Sequence, residues 1–170
     1  MMVRNNTIRR KTVLFPRFPQ SRVLSEWREI MVRLIIGVKG TGKTKQLIEQ
    51  VHQAYETSKG SVVCIDQGDN LKYDINHKVR LIDAKDYMIT DGQSLFGFVA
   101  GIYASNHDIT DIFIDAALRI CQNDMEAFKC FIKEVDCFSE KNGFQVTMTS
   151  SIPFDTADSE IKSYVTNWPQ

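Results

Sequence analysis

The sequence predicts an α/β domain in three layers, a mainly parallel sheet of about five strands with helices on both faces. Short apolar runs of strand type alternate with longer segments of helical periodicity, the pattern of a parallel sheet covered by crossover helices. One run, Ile112-Phe113-Ile114, is apolar at successive positions, as in a strand buried on both faces near the sheet centre. A Gly-rich stretch from Gly37 to Thr44 separates the first apolar run from the first amphipathic segment, so that strand, loop and helix follow without interruption.

At 170 residues, 43% hydrophobic and 25% charged, the chain is long enough for one domain with a substantial core. Its zero net charge conceals an asymmetry: residues 1–30 carry seven Arg/Lys against two Glu, and residues 31–170 carry fourteen basic against nineteen acidic residues. An acidic body speaks against general coating of nucleic acid. Cys64, Cys121, Cys130 and Cys137 form no C-x-x-C pair and have no His at ligand spacing, which argues against zinc and for reduced thiols in a cytoplasmic protein. The longest apolar run, Leu95 to Tyr103, is too short to cross a bilayer, and no secretory apolar region stands out.

Residues 1–30 differ in character from the rest, with Phe15-Pro16 and Phe18-Pro19 interrupting any regular element. Three readings compete: a disordered basic arm, an organellar targeting peptide, or sequence upstream of a true start at Met31. For the last, Trp27 has the codon TGG; if Arg28 is AGG, the pair spells GGAGG, a bacterial ribosome-binding site about six nucleotides before the Met31 codon. The domain proper is expected over residues 31–170.

Val32 to Gly37 reads as the first strand. Leu47, Ile48, Val51, Ala54 and Tyr55 then recur at helical spacing, with Gly60 where a C-terminal cap belongs. Ser61 to Asp66 is a second strand, and Val79 to Asp83 a third apolar run that either joins the sheet or forms an edge hairpin with Leu71 to Ile75. Asp91 caps a helix from Gly92 to about Ser105, in which Gly97, Gly101 and Ser105 share a stripe expected to approach the sheet closely. Thr110 to Asp115 is the central strand. A helix from about Asp124 to Lys141 buries Met125, Phe128, Phe131, Ile132, Val135 and Phe138, with Asn123 and Glu126 as a capping box and Asn142-Gly143 as its end. Phe144 to Ser151 is a further strand, Pro153 stops it, Ser159 to Lys162 suits a short helix, and Ser163 to Thr166 a last edge strand.

Gly37, Val38, Lys39, Gly40, Thr41, Gly42, Lys43 and Thr44 have the spacing Gly, four free positions, Gly-Lys-Thr. In such a loop backbone N–H groups wrap around the phosphates of a nucleotide, the Lys meets the β/γ oxygens, and the Thr hydroxyl meets Mg²⁺. Ligands of open α/β sheets sit at the carboxyl ends of the strands, where this chain has the loop, Asp66, Asp83, Asp115 and Thr149-Ser150-Ser151. Asp111 begins its strand and belongs to the opposite edge. His52, His77 and His107 are scattered, and none suggests a role.

On these residues the chain from 32 to about 151 resembles the P-loop NTPase superfamily, with GVKGTGKT as Walker A and IFID, closing on Asp115, as Walker B. The resemblance implies that Lys43 neutralises phosphate charge, that Thr44 ligates Mg²⁺ and that Asp115 holds the metal, through water. An extra strand between the Walker A and Walker B strands is similar to the branch of AAA-type, RecA-like and HerA/FtsK-like ATPases. There a polar residue on the strand after Walker B senses the γ-phosphate, and Thr149 or Ser151 matches it. Many of those ATPases carry Glu directly after the Walker B Asp, where this chain has Ala116; RecA-like members take a carboxylate from the end of the second strand, which makes Asp66 the candidate water-activating base, or else a cap of the following turn. After the loop helix the body has only Arg80 and Arg119 to serve as an arginine finger, unless another molecule supplies it.

The resemblance therefore implies a Mg²⁺-dependent ATP-binding protein, a slow ATPase or one activated by a protein partner or by self-association. The alternatives are a nucleotide-dependent regulatory module without efficient hydrolysis, and a small-molecule kinase. The kinase reading lacks an Arg-rich lid, and a GTPase reading lacks an Asn-Lys-x-Asp element. Nucleic acid stays open as a partner without a residue pattern in its favour, and no membrane is expected.

Overall fold

A computed structural model describes residues 31–166; residues 1–30, with the expectation about a start at Met31, and residues 167–170 lie outside the described residues. Val32–Ile36 (β1), Ser61–Asp66 (β2), Arg80–Asp83 (β3), Ile109–Ile114 (β4) and Gln145–Ser150 (β5) form one sheet in the order β1-β5-β4-β2-β3. Every pairing is parallel, so all five carboxyl ends share one edge. The strand after β4 thus lies between β4 and β1. Five helices accompany the sheet: Lys43–Thr57 (α1), Gly92–Ser105 (α2), Ala117–Ile120 (α3), Met125–Asn142 (α4) and Ser159–Tyr164 (α5). None of them is long and apolar enough to cross a membrane.

Both faces of the sheet are covered, which is why its strands are rich in apolar residues at successive positions. On one face Leu47 and Val51 of α1 pack with Ile35, Cys64 and Phe113, and the segment between β2 and β3 adds Leu71, Ile75 and Val79. On the other, Leu95 and Val99 of α2 and Phe128, Phe131 and Ile132 of α4 meet Ile65, Ile112, Ile114 and Met148. Each such fully buried side chain contributes about 1.5–3 kcal/mol of transfer free energy. Tyr103 of α2 stacks on Phe144 and meets Phe138 edge-on, and its hydroxyl donates to the Asn142 carbonyl at 3.1 Å, which pins α2 to the end of α4. Lys129 of α4 joins Asp158, the cap of α5, at 2.7 Å.

Of the two alternatives for Val79 to Asp83 the first holds: β3 joins the sheet, parallel to β2 at its edge with Asp83 opposite Asp66. Several other local expectations are corrected. Gly60 is not the cap of α1, which is Ser58; it lies in a tight connection against the Asp108 carbonyl. Asn123 has φ 60° and cannot cap α4, because an N-cap residue takes extended backbone; Asp124 caps it, accepting from the amides of Glu126 at 3.0 Å and Ala127 at 3.1 Å. Ser163 and Tyr164 belong to α5, and beyond it Val165 makes a single parallel bridge to Leu34 in place of a strand. The one-turn helix α3 had no sequence signal.

The glycine stripe of α2 turns away from the sheet: Gly97, Gly101 and Ser105 are exposed, and a Cβ at either glycine would meet nothing within 4 Å. The close approach is made by Gly92, where a Cβ would stand 2.8 Å from the Ala127 carbonyl oxygen of α4. Gly92→Ala should therefore lower stability by about 1–3 kcal/mol through overpacking. Gly97→Ala should raise it by up to about 1 kcal/mol through helix propensity. Urea-denaturation midpoints of the two variants would move in opposite directions.

Candidate functional site

The parallel sheet delivers β1, β4 and β5 side by side at one edge, and the loop between β1 and α1 closes over their ends. Gly40 and Gly42 have φ of 89° and 83°, backbone that a side chain with Cβ strongly disfavours. The Val38 carbonyl draws the loop together, accepting from the Thr41 hydroxyl at 2.9 Å and from Lys43 Nζ at 2.7 Å. Lys43 is 9% exposed, and burial pulls its ammonium below the usual lysine range, against an opposing pull from Asp115. A bound anion would stabilise that charge.

The first turn of α1 is built for the same purpose. Its cap residue is Gly42, which offers no side chain to the free amides, and its first turn holds no acid but has Lys43 and Lys45. A helix optimised for stability would carry Ser, Thr or Asp there and acids after it. No side chain caps this end of the fifteen-residue helix, whose positive dipole end favours negative charge.

Asp115 follows β4 and is 5% exposed. Thr149 of β5 donates to its Oδ1 at 2.6 Å, and the Thr44 hydroxyl of α1 donates to the same oxygen at 3.2 Å. The Thr149 oxygen also accepts from the Ala116 amide at 2.7 Å, so one hydroxyl is both donor and acceptor. Asp115, Thr44 and Thr149, residues 71 and 34 positions apart from the acid, are thereby brought together. Among the described residues no group of three or more His, Cys, Asp or Glu converges on a metal position. The available ligands are instead two hard oxygens, a hydroxyl and a carboxylate, at the mouth of the loop.

These groups line a cleft of about 610 Å³, a volume suited to a small-molecule ligand. Lys39, Lys43 and Arg119 contribute three cations to its wall and Asp115 is the one acid there. A cationic cleft in an otherwise acidic body selects anions. Of the expected loop residues, Lys39, Gly40, Gly42, Lys43 and Thr44 line the cleft, whereas Gly37, Val38 and Thr41 shape the loop behind it. Thr149 and Ser151 line the cleft as well; the Ser150 hydroxyl between them is buried without a hydrogen-bond partner.

Asp66 stands apart from this wall. Its Oδ1 accepts from the Gln67 amide at 2.6 Å and its Oδ2 from the Leu71 amide at 3.2 Å, so it holds the turn after β2. Burial raises its carboxyl above the ordinary value, partly offset by the Gln67 amide. Asp83 has a similar part, accepting from the amides of Gly68 and Lys85, each at 2.9 Å. Residues that sequence reasoning did not assign to the site are Asn70, Leu118 and Asn123, which complete the cleft wall with Arg119. The pattern around them gave no signal, because a four-residue helix has no period to read.

No protein-family model matches this chain, and no curated protein matches it significantly.

Two stability measurements follow from these bonds. Thr149→Val leaves the Ala116 amide without an acceptor and Asp115 short of a donor, and should cost about 1–3 kcal/mol in denaturation. For Asp66, the unfolded carboxyl titrates near 3.8 and the folded one higher, so its contribution is fully present below pH 3.8 and is lost as pH rises through the folded value. Asp66→Asn, whatever its offset, should flatten that part of the stability–pH curve.

Proposed function

We propose that this chain is a P-loop-type nucleotide-binding protein that takes ATP with Mg²⁺ at the loop Gly37–Thr44 and hydrolyses it slowly, or on activation by a partner or a second copy. The observation that carries the reading is the convergence of Lys43, the uncapped start of α1 and the Thr44–Asp115 oxygen pair in one cation-lined cleft. The amides of the loop and of α1 would bind the phosphates, with Lys43 adding positive charge beside the terminal ones. Thr44 and Asp115 fit Mg²⁺, which takes oxygen ligands, keeps waters and shares phosphate oxygens. When bound, that ion would supply positive charge to neutralise the phosphates, with Thr44 and Asp115 as the residues that would hold it. Thr149 would keep Asp115 oriented throughout.

The weak part of catalysis is activation of water. Ala116 stands where many related ATPases have Glu, and both oxygens of Asp66 are engaged by turn amides. Among the described residues of the cleft wall the only carboxylate is Asp115. This favours a second reading: a module that binds the nucleotide and changes state without efficient turnover.

Calorimetry of the full chain with Mg·ATP, beside Lys43→Ala, tests the proposal. Loss of the charge-assisted contact should weaken binding roughly 10- to 100-fold. Unchanged affinity in Lys43→Ala would remove the reading altogether. Phosphate release without an acceptor supports an ATPase, binding without release supports the module, and ADP formed only with an added sugar or nucleoside supports a kinase.

A further inference from the structure

Arg119 lies on α3 in the wall of the cleft, one turn beyond Asp115. Its Nε donates to the Gln67 side-chain oxygen at 2.8 Å and its Nη2 to the Gln67 main-chain oxygen at 3.2 Å. Both acceptors are neutral; the guanidinium also acts on the charge of nearby Asp66, but without an ion-pair contact among the described residues. A guanidinium has five N–H donors, and a phosphate oxygen is a far stronger acceptor than a carbonyl. Arg80, the other arginine after the loop helix, begins β3 and so belongs to the opposite edge of the sheet.

The segment that carries Arg119 is anchored at its base, with Ala117, Leu118 and Ile120 buried in the core, so that the exposed Arg119 side chain is the part free to change partner. Ala116 before α3 and Gln122 and Asn123 after it have φ of 56°, 56° and 60°, left-handed backbone on residues that pay for it with about 1 kcal/mol or more each. Between them is a single helical turn. Its base is fastened to the metal-side acid, because the Ala116 amide donates to the Thr149 hydroxyl that donates to Asp115. At its other contact Arg119 holds Gln67, the first residue of the turn that Asp66 caps.

Resting on the nucleotide-binding reading, we infer that Arg119 is the residue that distinguishes a triphosphate from a diphosphate: it exchanges Gln67 for the terminal phosphate, while Asp66 and Asp83 keep the turn after β2 in place. Gln67 is then a competitor for the guanidinium, holding it while the terminal phosphate position is empty. The exchange involves hydrogen bonds alone, with no covalent step. It also gives the chain a cis-acting arginine, so that recognition of the third phosphate needs no second molecule.

The test compares affinities of the full chain for Mg·ADP and for the Mg²⁺ complex of the β,γ-imido analogue of ATP. Arg119→Gln should weaken the triphosphate analogue roughly tenfold or more, with ADP changed by less than about twofold. Arg119→Lys, which keeps the charge without the fork, should fall between. Gln67→Ala should tighten the analogue, since it removes the shorter, side-chain acceptor and leaves Arg119 only the main-chain oxygen at 3.2 Å, a change of sign that a merely structural contact would not produce. Equal losses for both nucleotides in Arg119→Gln, or weaker analogue binding in Gln67→Ala, would overturn the inference. Lys43→Ala separates the two levels: loss of both nucleotides there, with Arg119→Gln unchanged for both, overturns the arginine alone, whereas no loss in Lys43→Ala overturns the binding reading and the arginine with it.

Discussion

The carboxylate of Asp115 is the constraint on which the functional edge depends. Three elements distant in sequence meet at it: β4 supplies it, Thr149 of β5 donates to it, and Thr44 of α1 reaches it across the end of the sheet. A buried carboxylate without donors would be costly, so these hydroxyls are needed for folding before they are needed for anything else. Because Thr149 also accepts from the Ala116 amide, the same bond sets where the chain turns after β4 and where α3 begins. The loop over β1 is anchored independently, through the Val38 carbonyl and Lys43.

Departures from local stability accumulate at this edge. α1 starts without a capping side chain, burial pulls the Lys43 ammonium below the usual lysine range, Ala116 is left-handed, and the Ser150 hydroxyl is buried unpaired. The other helices of comparable length show what the chain does elsewhere: Asp91 and Asp124 cap α2 and α4 with good hydrogen bonds. The contrast is physical and local. Local rules are broken together at the edge where the proposed site lies, and are kept at the other long helices.

Much of the molecule was legible in advance. The long elements were read from apolar periodicity, since α1, α2 and α4 each bury one stripe and a strand covered on both faces must be apolar throughout. The loop was read from glycine spacing, because Gly40 and Gly42 need backbone that few other residues tolerate. Short and irregular pieces are not legible: α3 has a single turn, β3 has four residues, and the segment between β2 and β3, with one short 3-10 turn at Asp69–Leu71, is held by Asp66 and Asp83. The outward direction of the glycine stripe on α2 is hidden from the sequence for a related reason. Spacing says which residues share a face but not what that face meets, and here the meeting point is Gly92 against α4.

Local spacing alone encodes the α/β class, the Gly-rich loop with Lys43 and Thr44 at its end, and the set of polar residues at the strand ends. Tertiary structure decided which of those polar residues act together. Asp66 and Asp115 both end strands, but the order β1-β5-β4-β2-β3 puts β5 beside β4 and the loop, so that Asp115 receives Thr149 and Thr44. Asp66, one strand further from the loop, folds back onto its own turn and holds the amides of Gln67 and Leu71. Hydrogen-bond partners are assigned by strand neighbours, and strand order is a property of the whole chain that no local pattern encodes.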